Sequence, residues 1–191
     1  MTSRPEGIAA GDLDSDGDID LVTANYNSST VSVLLGSGDG TFAPSSAVAV
    51  PGGPRSIVAL DLDGDGAPDL ATANYDASTV SVLRGGADGS FALAVTVSVG
   101  DLPEVIVAGN IDGDAVPDLV TCDSGDDGLS VLLGNGDGTF RFGGKAAVGN
   151  RPRHVRLADL DADGLDDVVT ADYASSTVTV LENAGGALAV R

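Results

Sequence analysis

The chain has 191 residues, 42% of them hydrophobic, and its 29 acidic side chains against 9 basic ones leave a formal net charge of −20. That charge excludes a nucleic-acid or anionic-membrane surface, because both need a basic footprint, and ordinary hydrophobicity excludes wholesale disorder. Aromatic residues are 4% of the chain, with no Trp, while Gly reaches 27, so the core must come from Val, Leu, Ile and Ala and turns must be frequent.

Residues 6–11, E-G-I-A-A-G, predict a short apolar strand. An Asp-rich loop follows at 12–20, D-L-D-S-D-G-D-I-D. Residues 20–25, D-L-V-T-A-N, predict a second strand, 26–29 a polar turn, and the alternation T-V-S-V-L-L at 30–35 a third strand. The run G-S-G-D-G at 36–40 reads as a turn with positions suited to positive φ. Phe42 anchors the next segment, and A-V-A-V at 47–50 predicts a fourth strand before Pro51–Pro54 break the chain.

The same pattern then returns three times. The residues that open the Asp-rich loops, Asp12, Asp61, Asn110 and Asp159, lie 49 positions apart. Pro5, Pro54, Pro103 and Pro152 keep the same step, as do Phe42, Phe91 and Phe140. The units are 5–53, 54–102, 103–151 and 152–191, and the last lacks the G-D-G-T-F turn. Four strands in a unit of this length make the pattern of a propeller blade, which must stack on its neighbours to bury its faces. The expected fold is therefore all-β, a β-propeller of four tandem four-stranded antiparallel blades forming one repeat domain. It would close as a four-bladed ring, form half of an eight-bladed homodimer, or be a fragment with exposed blade faces. Uncovered edges and faces favour association.

The loops read D-L-D-S-D-G-D-I-D, D-L-D-G-D-G-A-P-D (61–69), N-I-D-G-D-A-V-P-D (110–118) and D-L-D-A-D-G-L-D-D (159–167). Carboxylates at loop positions 1, 3, 5 and 9 converge if position 6 turns sharply, and Gly there supplies the left-handed backbone. Calcium takes six to eight oxygens, a backbone carbonyl among them. Without a cation the packed carboxylates would repel one another. The loop is not an EF-hand, which needs Glu at position 12 and flanking helices.

These loops, the D-L-V-T-A-N and D-L-A-T-A-N strands after them, and G-D-G-T-F at 38–42 and 136–140 resemble the FG-GAP and VCBS repeats of integrin-α-like propellers. The resemblance covers essentially the whole chain. It implies calcium (Ca2+) between the first two strands of each blade, up to four ions per chain. It implies side-chain ligands Asp12, Asp14, Asp16 and Asp20; Asp61, Asp63, Asp65 and Asp69; Asn110, Asp112, Asp114 and Asp118; and Asp159, Asp161, Asp163 and Asp167. Backbone carbonyls of Asp18, Ala67, Val116 and Leu165 would complete the sites. The third loop departs from the pattern. Asn110 removes a charge and Ala115 replaces the turn glycine, so this site is expected to be the weakest and empty at low calcium.

Antiparallel order puts the metal loops and the G-D-G-T-F turns at one end of each blade. The opposite end collects Tyr26, Tyr75 and Tyr173 with Arg4, Arg55, Arg151, Arg153 and His154. These are candidates for contacts to a protein or carbohydrate ligand, or simply turn caps and charge partners. Cys122, in V-T-C-D, reads as a small buried residue. No Ser/His/Asp, Cys/His or zinc spacing is present, so no enzyme is expected. The expected role is a calcium-stabilised binding or scaffolding module of the adhesion type, with a lectin as the alternative. No apolar run reaches the ~18 residues of a membrane span, and the N-terminal residues lack the apolar core of a signal peptide. An extracellular setting is expected, with the chain as a segment of something longer or a designed array.

Overall fold

The computed structural model describes residues 3–185 and 188–190. It contains four separate four-stranded sheets, each an antiparallel meander in chain order. The first sheet holds β1 (Pro5–Gly11), β2 (Asp20–Asn25), β3 (Thr30–Gly36) and β4 (Phe42–Ala49). The second holds β5 (Pro54–Leu60), β6 (Asp69–Asn74), β7 (Thr79–Gly85) and β8 (Phe91–Ser98). The third holds β9 (Pro103–Gly109), β10 (Asp118–Asp123), β11 (Gly128–Gly134) and β12 (Phe140–Ala147). The fourth holds β13 (Pro152–Ala158), β14 (Asp167–Asp172), β15 (Thr177–Asn183) and the short β16 (Leu188–Val190).

The fourth strand of the first unit starts at Phe42 rather than near Ala47. Its first half, F-A-P-S, shows no alternation, which is why the sequence hides it. A bulge explains the lost pattern: Val33 pairs with Ser46 and Leu34 with Pro44, so one residue is passed over between them. The same shift falls between Val82 and Leu83 and between Val131 and Leu132. Pro44 is tolerated because β4 is the outer strand of its sheet and its lost N–H removes no ladder bond on the far side.

The chain divides into two compact units, Met1–Ser98 and Val99–Arg191. In the first, Leu13, Val22, Ala24, Val31 and Val33 of one blade pack with Ile57, Leu70, Leu83 and Phe91 of the next. In the second, Ile111, Val120, Cys122, Leu129 and Val131 pack with Val155, Val168 and Leu181. Each buried Leu, Ile or Val contributes about 1.5–3 kcal/mol, and small residues such as Ala24 and Cys122 let the sheets approach. Cys122 is buried as expected, and burial pushes its thiol well above its ordinary range.

A buried polar cluster ends the second strand of every blade. Asn25 accepts from the Thr23 hydroxyl at 3.2 Å and donates to Ser32 Oγ at 2.8 Å. Asn74 repeats this with Thr72 and Ser81. In the second unit the position is an acid. Asp123 accepts from Thr121 at 2.7 Å, Ser130 at 2.6 Å and the Gly100 N–H at 3.2 Å. Asp172 accepts from Thr170 and Thr179. In the second blade the repeat counterpart of Gly100 is Pro51, which has no N–H to give to Asn74. Burial raises Asp123 to about 6, against hydrogen bonds that oppose the shift.

Candidate metal centres

The register of β1 and β2 brings the two ends of the first Asp-rich loop together, with Gly11 opposite Asp20. Within the loop each acid first serves the backbone. Asp12 Oδ2 accepts from the Gly17 N–H at 3.1 Å, Asp14 Oδ1 from Asp16 at 3.3 Å, and Asp16 Oδ1 from Asp18 at 2.8 Å. These are Asx-type turns, in which a short acid replaces a missing carbonyl partner. The other loops repeat them: Asp61 takes the N–H groups of Gly64 and Gly66, and Asp159 those of Ala162 and Gly164. Ala67, Val116 and Leu165, expected to offer carbonyls, each donate an N–H to the acid two residues before.

Two consecutive turns need left-handed backbone. Position 6 does so as expected, at Gly17, Gly66 and Gly164, and also at Ala115 with φ 66°. Position 4 was not anticipated from the sequence. It is left-handed in all four loops, with Ser15 at φ 62° and Ala162 at φ 65° where the second and third loops have Gly64 and Gly113. A non-glycine residue there costs about 1–2 kcal/mol, so the loops hold strain that surrounding contacts must offset.

Position 9 has a role the sequence did not reveal. Asp20 accepts the Leu13 N–H and the Gly36 N–H, each at 2.7 Å, one on each carboxylate oxygen. Asp69 does the same for Leu62 and Gly85, Asp118 for Ile111 and Gly134, and Asp167 for Leu160 and Asn183. All four are buried. This acid therefore ties the loop to the end of the third strand, besides any part it takes with a cation. Burial is the main cause holding Asp69 and Asp118 above the ordinary carboxylate range. Gly is needed at the end of the third strand because a Cβ on Gly36 would lie 2.2 Å from the Ile19 carbonyl oxygen. In the fourth blade Asn183 stands there instead, and its amide donates to the carbonyls of Ile111 and Asp166.

Oxygens of Asp12, Asp14 and Asp20 lie within 4.8 Å of one another, as do those of Asp61, Asp63 and Asp69, and those of Asp159, Asp161 and Asp163. Asp16 and Asp65 are outside the first two groups and Asp167 outside the last. Among the described residues the third loop supplies no such group of three acids. The donor set fits a hard cation: it is all oxygen, and Asp12 Oδ1 is buried with no hydrogen-bond partner. Desolvation, reinforced by neighbouring acids, also holds Asp14 and Asp161 above the ordinary range.

Two arginines intrude on this pattern. Arg84 forms an ion pair with Asp63, and Arg141 reaches Asp112 at 3.1 Å. Their repeat counterparts in the first blade are Leu35 and Ala43. In the fourth blade the counterpart of Arg84 is Glu182, whose charge raises Asp161 further. Sequence reading missed these pairs because they join residues far apart in the chain through strand register.

At the opposite end of the blades the aromatic and basic candidates stack on each other. Arg55 lies 3.6 Å from the Tyr75 ring centroid and 5.3 Å from that of Tyr26, and Arg4 covers Tyr26 at 4.7 Å. The Tyr26 hydroxyl donates to Asp76 at 2.9 Å. In the second unit Arg151 and Arg153 lie 5.8 and 4.6 Å from the Tyr173 ring. His154 is exposed on β13.

The family model for the FG-GAP-like repeat matches residues 12–72, 61–121 and 110–170. The chain belongs to the FG-GAP-like repeat family. No curated protein matches the sequence as a relative. Solved structures show the fold. A protein from Lactobacillus plantarum is 22% identical with a TM-score of 0.74, over 100% of this chain and 55% of that one. A proposed 6-phosphogluconolactonase from Bacteroides uniformis is 15% identical with a TM-score of 0.73, over 97% and 53%. The periplasmic gluconolactonase of Pseudomonas aeruginosa is 20% identical with a TM-score of 0.67, over 98% and 53%. The four sheets are thus blades of the β-propeller fold, and this repeat chain spans a little over half the length of these solved structures. The lactonase names overturn one expectation. The lack of catalytic spacing was read as excluding an enzyme, yet the fold this chain shares is one that carries lactonase-named proteins, so that exclusion does not stand. Propeller sites are assembled from loops of different blades, and linear spacing is a poor guide to them.

Proposed function

We propose that this FG-GAP-like chain is a calcium-binding recognition module that works in an extracellular setting. Asp12 Oδ1 carries the reading: a buried carboxylate oxygen with no partner, in a group of three acids. A buried carboxylate oxygen without a partner is unfavourable, and a divalent cation would offset it. Position 1, 3, 5 and 9 side chains, with the position 7 carbonyl, would hold the ion. Bound calcium would supply positive charge and pin the turn between the first two strands of a blade, stabilising the fold by mass action. Millimolar calcium outside cells would fill even weak sites.

The arginines grade the four loops. The first and fourth, free of arginine at the counterparts of Arg84 and Arg141, bind most tightly; the second follows; the third, with Asn110 and Arg141, is weakest. The ligand-facing end is the one opposite the metal loops, where arginines cover the rings of Tyr26 and Tyr75. Covered rings favour a protein partner over a stacked sugar. Calorimetric calcium titration of chelator-stripped protein tests the reading, with a thermal melt at each end. Two tight sites followed by weaker ones, with a marked rise in Tm, is the expected result. No binding and an unchanged melt would sink it.

A further inference from the structure

Within the second unit the third and fourth Asp-rich loops are joined by hydrogen bonds. Asp166, at position 8 of the fourth loop, grips Asn110, which opens the third. The Asp166 N–H donates to the Asn110 carbonyl at 3.0 Å, and Asp166 Oδ2 accepts the Asn110 N–H at 2.8 Å. The Asn183 amide then bridges both loops, donating to the Ile111 carbonyl at 2.7 Å and to the Asp166 carbonyl at 3.1 Å. The approach is close: a Cβ on Gly109 would lie 2.5 Å from Asp166 Oδ2, and one on Gly113 would lie 3.0 Å from Leu165 Cδ2. The first unit cannot build this link. Its equivalents of Asp166 and Asn183 are Pro68, with neither N–H nor carboxylate, and Gly85, with no side chain. The loop tied in this way is also the one with the poorest cation set, carrying Asn110, the left-handed Ala115 and Arg141 on Asp112.

We propose that Asp166 is a positioning residue for the third loop, through which calcium at the fourth loop raises the calcium affinity of the third. This rests on the calcium reading above and adds a coupling to it. Asp166 stands between Leu165, whose carbonyl would complete the fourth site, and Asp167, which clamps the N–H groups of Leu160 and Asn183. Filling the fourth loop therefore fixes the chain on both sides of Asp166. Fixed there, Asp166 holds the backbone of Asn110 through both its N–H and its carbonyl. Asn110 Oδ1 in turn accepts the Gly113 N–H at 2.9 Å and sets the first turn of the third loop. Ordering of the fourth loop thus leaves less of the third to be ordered when its own ion arrives, which is positive coupling. Coupling is reciprocal in free energy, but the fourth loop fills first, so the third is the one that shows it.

A calcium titration of the full chain followed by amide NMR reads the two loops separately. Gly113 reports the third, held by Asn110 Oδ1, and Gly164 the fourth, held by Asp159 Oδ2. In the wild type the Gly164 signal should move at lower calcium than that of Gly113. Asp161→Ala, which weakens the fourth site, should shift the Gly113 midpoint about tenfold higher. Asp166→Ala should do the same while leaving the Gly164 midpoint in place. Asp166→Asn keeps an acceptor for the Asn110 N–H and should retain the wild-type Gly113 midpoint. Asn183→Gly matches the residue at Gly85 and Gly134, so it breaks the link even if Asp166→Ala fails to fold, and it too should raise the Gly113 midpoint. Three outcomes would overturn the coupling and leave the calcium reading intact: a Gly113 midpoint unchanged in the link variants, one lowered by Asp161→Ala, or one raised as far by Asp166→Asn as by Asp166→Ala. If neither amide responds to calcium, the calcium reading itself fails and takes the coupling with it.

Discussion

The first and third Asp-rich loops share one backbone design and differ in what it holds. Both use position 9 to clamp two backbone N–H groups, Asp20 in one and Asp118 in the other. Both bend left-handed at positions 4 and 6. The first loop has Gly at position 6, acids at positions 1, 3, 5 and 9, and a buried carboxylate oxygen without a partner. The third has Asn110, a strained Ala115, and Arg141 on Asp112. The loop conformation therefore survives where the cation set is degraded. The shared hydrogen bonds define the turn in both loops, and in the third Arg141 brings a positive charge to Asp112.

The largest test of that comparison is the clamp. Asp69→Ala and Asp118→Ala each leave two buried N–H groups without acceptors, at about 1–3 kcal/mol apiece. Urea denaturation under chelator should show similar losses for both, since the clamp works without metal. A large loss at Asp69 alone would mean that the cation set, not the clamp, dominates. Next comes the ion. Asp12→Ala should remove one tight calcium site by calorimetry and lower the Tm in calcium, while Asp112→Ala should leave the tight sites unchanged. In the reverse direction, Asn110→Asp with Ala115→Gly and Arg141→Ala should add a tight site. Ala115→Gly alone should stabilise by about 1 kcal/mol without calcium, by removing left-handed strain.

Asp123 gives a pH test away from the loops. Its folded-state value of about 6 lies above the ordinary 3.8, so the native state holds the proton more tightly than the unfolded one. This group therefore adds stability below the ordinary value, and that contribution is lost as pH rises through the folded value. Comparing Asp123→Asn with wild type across that window should show a flatter curve for the variant; parallel curves would refute the shift. The smallest expected effect is Arg55→Ala, which removes the guanidinium between Tyr26 and Tyr75 and should cost about 0.5–2 kcal/mol.

The repeat was legible because every blade solves the same packing problem with the same residue types. Its period, strand order, Gly at the turns and clustered acids follow from local pattern alone. Strand β4 was only half legible, since a bulge at Val33–Leu34 and an exposed outer edge erase its alternation. By itself the sequence determined an all-β array of four blades with four acidic loops in phase, because strand periodicity and turn chemistry are local properties. Tertiary structure alone decided that position 9 clamps backbone across the loop, that Arg84 and Arg141 reach two of the four loops, and that the tyrosines are covered by arginines. These outcomes depend on which side chains meet across strands and blades, and residues that are equivalent in a repeat differ only in their neighbours.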